Sequence, residues 1–192
     1  MAEAHLLHEL LSVAAERDAE APALTSAGST WNYAQVQSAA QGFAHGLLGL
    51  GIGRGQRVGI YLEKRFEMVV ACFGAAAAGA VFVPVNPLLK PEQVGFILQD
   101  CNVRVLVTSS ERLATLRPAL GNCPDLRHVV VVDAQAAGSG TLQVTPWNEV
   151  VAAAPCAAHR VIDTDMLAIL YTSGSTGRPK GVVLSHRNMV AG

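Results

Sequence analysis

Four short apolar runs begin at Arg57, Val81, Val103 and His128, at intervals of 24, 22 and 25 residues. Neighbouring strands that far apart are not joined by hairpins. Crossovers of a dozen or more residues, usually helical, join parallel strands instead. The runs Arg57–Leu62, Val81–Val85, Val103–Thr108 and His128–Val132 are rich in Val, Ile and Leu with little alternation, as expected of strands covered on both faces. Helices are expected between them, over Lys64–Gly79, Pro91–Cys101 and Glu111–Leu120. The fold class that follows is α/β, a mostly parallel β-sheet flanked by helices with right-handed crossovers.

The 192 residues suit one domain or a piece of a larger one, and with 51% apolar and 15% charged residues a core is expected rather than disorder. Fourteen Lys and Arg face fifteen Asp and Glu, a formal net charge of −1. That balance excludes a broad basic face for nucleic acid or anionic membrane, so an anionic ligand must be held by local geometry. Cys72, Cys101, Cys123 and Cys156 form no C-x-x-C pair and read as reduced thiols of a cytoplasmic protein. The first ten residues lack a basic region followed by an apolar block, so no secretory leader is expected. Met68–Asn86 carries no charge, but Pro84 and the β-branched tail fit a buried helix followed by a buried strand better than a membrane span.

Upstream of the sheet, residues 3–17 read as an amphipathic helix with Leu6, Leu7, Leu10, Leu11 and Ala14 on one side, and His5 and His8 belong to it. A hairpin turning at Gly28 and a helix over Asn32–Leu48 follow. Gly49, Gly51, Gly53 and Gly55 do not have the G-x-G-x-x-G spacing and precede a strand, so they read as a helix-to-strand connection. Residues 134–141 read as a surface loop, and Ala152–His159 as either a frayed helix or a linker. Organisation along the chain is therefore a helical and hairpin lead-in (1–56), a βαβ region (57–133), a loop or linker (134–165) and a hairpin entering a last helix (166–192).

The chemistry concentrates in that hairpin. The apolar strand Met166–Thr172 runs into Ser173, Gly174, Ser175, Thr176, Gly177, Arg178, Pro179 and Lys180, and the chain leaves through Gly181–Leu184. Gly174 and Gly177 can take positive φ and let backbone N–H groups converge, while Thr172, Ser173, Ser175 and Thr176 add hydroxyls and Lys180 a mobile cation. Together they suit the oxygens of a polyphosphate. The Walker A pattern is absent, because Pro179 precedes Lys180 and apolar β-formers follow it. Composition alone leaves a plain Ser/Gly turn equally open. Ser185 is the expected N-cap of the last helix, which makes His186 a first-turn residue rather than a general base.

Tyr171–Gly181, read as Y-T-S-G-S-T-G-R-P-K-G, resembles the signature loop of the adenylate-forming superfamily, which includes acyl-CoA synthetases, peptide-synthetase adenylation domains and firefly-type luciferases. Two upstream stretches are similar to the family's as well: Thr30–Val36, with Gln35 where Glu is frequent, and Ala78–Pro87. The resemblance implies an acyl-CoA synthetase-like N-terminal domain. It implies ATP and Mg2+ as cofactors, a small-molecule carboxylate substrate activated as acyl-AMP, and CoA as the co-substrate whose thiol displaces AMP. Thr172, Ser173, Gly174, Ser175, Thr176 and Gly177 would embrace the β- and γ-phosphates, with Lys180 assisting catalysis. Asn86–Pro87 and the following Leu-Leu-Lys-Pro-Glu lean towards CoA ligases over peptide-synthetase modules. The family's Thr-Glu motif, ribose-binding Asp and distal Lys fall beyond residue 192, so this chain alone is expected to lack ligase turnover and to self-associate through uncovered surfaces. A non-catalytic nucleotide- or phosphate-binding module and a non-catalytic interaction protein are the competing readings.

Overall fold

The computed structural model describes residues 4–134, 142–172 and 179–192. A lead-in of α1 (Glu9–Arg17), the hairpin β1 (Pro22–Ser26) and β2 (Ser29–Asn32), and α2 (Tyr33–Gly49) precedes the sheet. Alternating elements follow: β3 (Arg57–Tyr61), α3 (Phe66–Ala77), β4 (Val81–Pro84), α4 (Pro91–Asp100), β5 (Val103–Thr108), α5 (Ser110–Leu120) and β6 (His128–Val131). The chain continues through β7 (Gln143–Pro146), α6 (Trp147–Val151), β8 (Met166–Thr172), β9 (Lys180–Ser185) and α7 (His186–Ala191).

The main sheet has seven strands in the order β7-β6-β5-β3-β4-β8-β9 among the described residues. Every pairing is parallel except β8 with β9. The chain starts in the middle at β3, steps once to β4, then crosses back to fill the other side through β5, β6 and β7, which is a doubly wound order. Strand alternation divides the interior into two layers. Val58, Ile60, Phe82, Val105, Val107 and Val130 pack under α2, α3 and α6. Tyr61, Val83, Val103, Leu106, Val129 and Val131 pack under α4 and α5. Both faces are therefore covered, as the unalternating apolar runs require.

The expected strands and their intervening helices form within a residue or two of the anticipated bounds. Met68–Asn86 becomes the buried α3 and β4, and no described helix is long and apolar enough to cross a membrane. The early hairpin turns at Ala27 and Gly28, both with positive φ. The glycines after α2 form the helix-to-strand connection, with Gly51 and Gly55 in the left-handed region.

Two expectations are corrected. Of the expected loop or linker over 134–165, residues 135–141 lie outside the described residues, and 142–165 are more than loop: β7 pairs in parallel with β6, and α6 packs Trp147 on Phe43 with ring centroids 4.7 Å apart. Both elements are too short for a periodic signal, and an edge strand such as β7 needs no continuous apolar run. Ala152–His159 is irregular, the linker of the two alternatives. Secondly, α1 begins at Glu9 rather than residue 3, and His5 and His8 precede the helix. The Glu9 carboxylate accepts from the backbone N–H groups of His5 and Leu6, at 2.8 and 2.9 Å, which holds a separate turn ahead of the helix.

The preceding turn is held by a contact that no local pattern encodes. His186, the first residue of α7 and almost fully buried, accepts the Leu7 N–H on Nδ1 at 3.0 Å. The His8 ring meets it edge-on with centroids 6.1 Å apart. Burial, and then the other imidazole, push His186 below the ordinary histidine value, and burial does the same to His8 although the Glu9 charge opposes it. A protonated Nδ1 could not accept the Leu7 N–H, so the neutral tautomer is the folded one.

Cβ atoms placed on Gly42 and Gly46 would lie 2.4 and 2.2 Å from the carbonyl oxygens of Val151 and Val150, so α2 and α6 approach backbone to backbone. Gly46→Ala should destabilise by about 1–3 kcal/mol, exceeding the roughly 1 kcal/mol that alanine contributes in a helix interior. Gly49→Ala, with nothing within 4 Å of its Cβ, should be neutral or stabilising by urea denaturation. For the histidines the folded state binds fewer protons than the unfolded state, so their contribution is complete above the ordinary value near 6.5. It is lost as pH falls from there towards the lowered folded values. The thermal midpoint should drop between about pH 7.5 and about pH 5.5, and His186→Asn should shallow that drop.

Candidate functional site

The β8–β9 hairpin forms the end of the sheet. Its register pairs Ala168 with Leu184, Ile169 with Val183, Leu170 with Val182, Tyr171 with Gly181 and Thr172 with Lys180. Leu170 and Leu184 pack on the layer beneath α2 and α3, whereas Ile169 and Tyr171 pack on the layer beneath α4. Because β8 runs parallel to β4, Thr172 and Lys180 stand at the carboxyl edge of the parallel strands. Ligands of open α/β sheets are generally bound along that edge.

Of the residues expected to grip phosphate, Thr172 and Lys180 are directly opposed across the ladder and exposed. Opposed residues share a face of the hairpin, so the Thr172 hydroxyl and the Lys180 stem lie on the same side. Ser173, Gly174, Ser175, Thr176 and Gly177 lie outside the described residues. Among the described residues no carboxylate forms an ion pair with Lys180, while Arg54, Arg65, Arg104, Arg112 and Arg187 are each paired. An exposed ammonium opposite a hydroxyl is chemically suited to an anionic ligand.

The opposite face of the hairpin carries a cluster that sequence reasoning missed. The Tyr171 hydroxyl donates to the Asp100 carboxylate and lies 3.2 Å from Cys101 Sγ, both at the end of α4. Burial first, then donation to Asp100, raise the Tyr171 phenol well above the ordinary tyrosine value, so it stays a protonated donor. Gly181 leaves room for this ring: a Cβ there would sit 3.3 Å from Tyr171 Cζ and 2.8 Å from Ile169 Cγ2. Seventy-one residues separate Tyr171 from Asp100, and no local signal joins them.

At the end of β9, Ser185 caps α7 as expected, its hydroxyl accepting the Asn188 N–H at 3.2 Å. His186 is the buried structural residue described above, and Arg187 pairs with Asp163 at 2.7 Å. Asp165, whose backbone carbonyl accepts from the His186 N–H, holds Arg54 through two bonds of 2.6 and 2.9 Å. The end of the hairpin is thus fastened to the loop before β8 and to the N-terminal turn.

A family model described as AMP-binding enzyme matches residues 11–192. A linear gramicidin synthase polypeptide of Brevibacillus parabrevis is 32% identical over 183 residues, 94% of this chain and 3% of its own length. The crotonobetaine/carnitine–CoA ligase of Salmonella paratyphi A (strain ATCC 9150 / SARB42) is 34% identical over 161 residues, 83% of this chain and 31% of its own length. A crystal structure of the anthranilate CoA ligase AuaEII in complex with anthranoyl-AMP superimposes with a TM-score of 0.84 at 30% identity, covering 95% of this chain and 35% of that one. The chain therefore spans about a third or less of the length of these relatives. A match that runs from residue 11 through the sheet and across the hairpin makes this chain a member of the AMP-binding enzyme family, the adenylate-forming superfamily.

Proposed function

We propose that the protein to which this chain belongs uses Mg-ATP to activate a small carboxylic acid as acyl-AMP, and that a thiol then displaces AMP. The observation that carries the reading is the opposed pair Thr172 and Lys180, exposed at the carboxyl edge on either side of the Gly, Ser and Thr run. A carboxylate acylates poorly until one of its oxygens becomes part of a good leaving group. Attack of that oxygen on the α-phosphorus gives the mixed anhydride and releases pyrophosphate, whose departure requires its charge to be neutralised. In this reading the residues 172–177 hold the β- and γ-phosphates, Lys180 compensates charge developing on the departing pyrophosphate, and Mg2+ supplies the remaining neutralisation when bound.

The acceptor thiol is proposed to be CoA. Similarity to a carnitine CoA ligase and superposition on an aryl-CoA ligase support it, as do Asn86–Pro87 and the Leu-Leu-Lys-Pro-Glu that follows. The gramicidin synthase similarity favours a second reading, in which the acceptor is the thiol of a carrier protein. A cytoplasmic location accords with CoA chemistry and with four cysteines that are all free, the Cys72 thiol being pushed up to about 12 by burial. A phosphate-binding module without catalysis would bind Mg-ATP but exchange no pyrophosphate into it in any version of the protein.

In a polypeptide carrying the rest of the ligase, carboxylate-dependent exchange of labelled pyrophosphate into ATP is expected, and the 192-residue chain alone should show none. Robust exchange by the short chain would overturn the assignment of catalytic groups beyond it. Lys180→Ala in the longer polypeptide should slow single-turnover adenylation by roughly tenfold to a hundredfold, with little change in carboxylate affinity. Adenylation at the unaltered rate would remove Lys180 from the chemistry.

A further inference from the structure

The hairpin is fastened weakly by its backbone. β8 meets β4 at one register point, Phe82 against Ala168, and β4 ends at Pro84, which has no N–H to donate. Beyond Ala168 the only strand partner of β8 among the described residues is β9, itself the outermost strand. Residues 169–172 and 180–183 therefore extend past the last ladder contact with the parallel sheet, and Thr172 and Lys180 are at their tip.

A side-chain path supplies the missing fixture. Arg57, at the start of the central strand β3, donates to the carbonyl oxygens of Cys101, Asn102 and Gly55, which clamps the end of α4 to the sheet. The Asp100 carboxylate and Cys101 sulfur of that clamped end hold the Tyr171 hydroxyl. The Tyr171 ring in turn covers Gly181 on the partner strand, one residue from Lys180. Arg57, α4, Tyr171 and Gly181 thus form a continuous chain of contacts from the middle of the sheet to both strands of the hairpin.

Resting on the phosphate-binding reading above, we propose that Tyr171 is a positioning residue, whose hydroxyl bond to Asp100 sets where Thr172 and Lys180 stand relative to the sheet. Tyr171 touches no phosphate in this scheme, because it points to the opposite face from Thr172. A ring that merely filled the apolar layer beneath α4 would act equally well as phenylalanine. The hydroxyl is what separates the two roles.

Tyr171→Phe keeps the ring over Gly181 and removes only the donor, and Asp100→Asn keeps the shape of the acceptor while weakening it. In the 192-residue chain, amide exchange across 169–172 and 180–182 should accelerate about tenfold in either variant, with β3, β5 and β6 unchanged. In the longer polypeptide, Mg-ATP affinity by titration calorimetry should fall about threefold to tenfold while the thermal midpoint moves little. The double variant should be no worse than either single one, as for two partners of one bond. If the longer parent polypeptide binds Mg-ATP and its Tyr171→Phe variant binds it equally well, the positioning role is overturned, whatever the exchange rates. Should that longer parent bind no Mg-ATP, the phosphate reading fails by itself. Exchange then decides the tie: acceleration confined to the hairpin upholds it, and unchanged exchange removes it.

Discussion

β8 joins a doubly wound sheet through a single ladder point, Phe82 against Ala168, so the end of the hairpin depends on side chains rather than on backbone hydrogen bonds. Alternation along β8 makes this workable. Leu170 goes to the layer under α2 and α3, and Ile169 and Tyr171 go to the layer under α4, so the strand is gripped from both faces. Thr172 and Lys180, past the reach of either layer, are left exposed. A hairpin embedded along its whole length would bury the tip, and one without the double grip would have no defined tip. The observed arrangement combines a fixed base with accessible donors, the combination that a charged, exchanging ligand needs.

The far end of the hairpin is held differently, by polar contacts. His186 receives the Leu7 N–H, and its own N–H donates to the Asp165 carbonyl, while Asp165 binds Arg54 and Arg187 binds Asp163. The three ion-paired or hydrogen-bonded segments come from residues 5–9, 54 and 163–165, which are remote in sequence. The exposed ion pairs contribute little individually. The buried imidazole is the costly element, since leaving the Leu7 N–H unpaired would carry the full desolvation penalty.

Much of this is legible in the residues. Strands covered on both faces must be apolar at nearly every position, so β3 to β6 can be read directly, and the apolar runs Met166–Thr172 and Gly181–Leu184 mark β8 and β9. Elements whose existence is tertiary escape such a reading. β7 is four residues on a sheet edge, and α6 is five residues whose site on α2 exists because Gly42 and Gly46 lack side chains. The start of α1 misleads because Leu6 and Leu7 satisfy a helical period while Leu7 is held by a histidine 179 residues away. Partnerships such as Tyr171 with Asp100 are equally invisible, since neither residue carries a local pattern that names the other.

In the proposed reading the phosphates lie at the hairpin and not at the sheet's switch point. In a doubly wound order the crevice between β3 and β5, at their carboxyl ends, is the usual ligand site. Here the protein's own groups engage several of the donors around it. Thr108 Oγ1 donates to the Tyr61 carbonyl at 3.1 Å, and Arg112 lies over the Tyr61 ring at 4.5 Å, pairs with Glu63 and donates to the Pro87 carbonyl. Arg65 is paired with Glu67, and the Ser110 N–H at the start of α5 is taken by Asp133 at 2.7 Å. An anion arriving there would have to displace carboxylates already in place. Lys180 and Thr172 face no carboxylate partner among the described residues, and they stand on the same carboxyl edge, at β8 and β9.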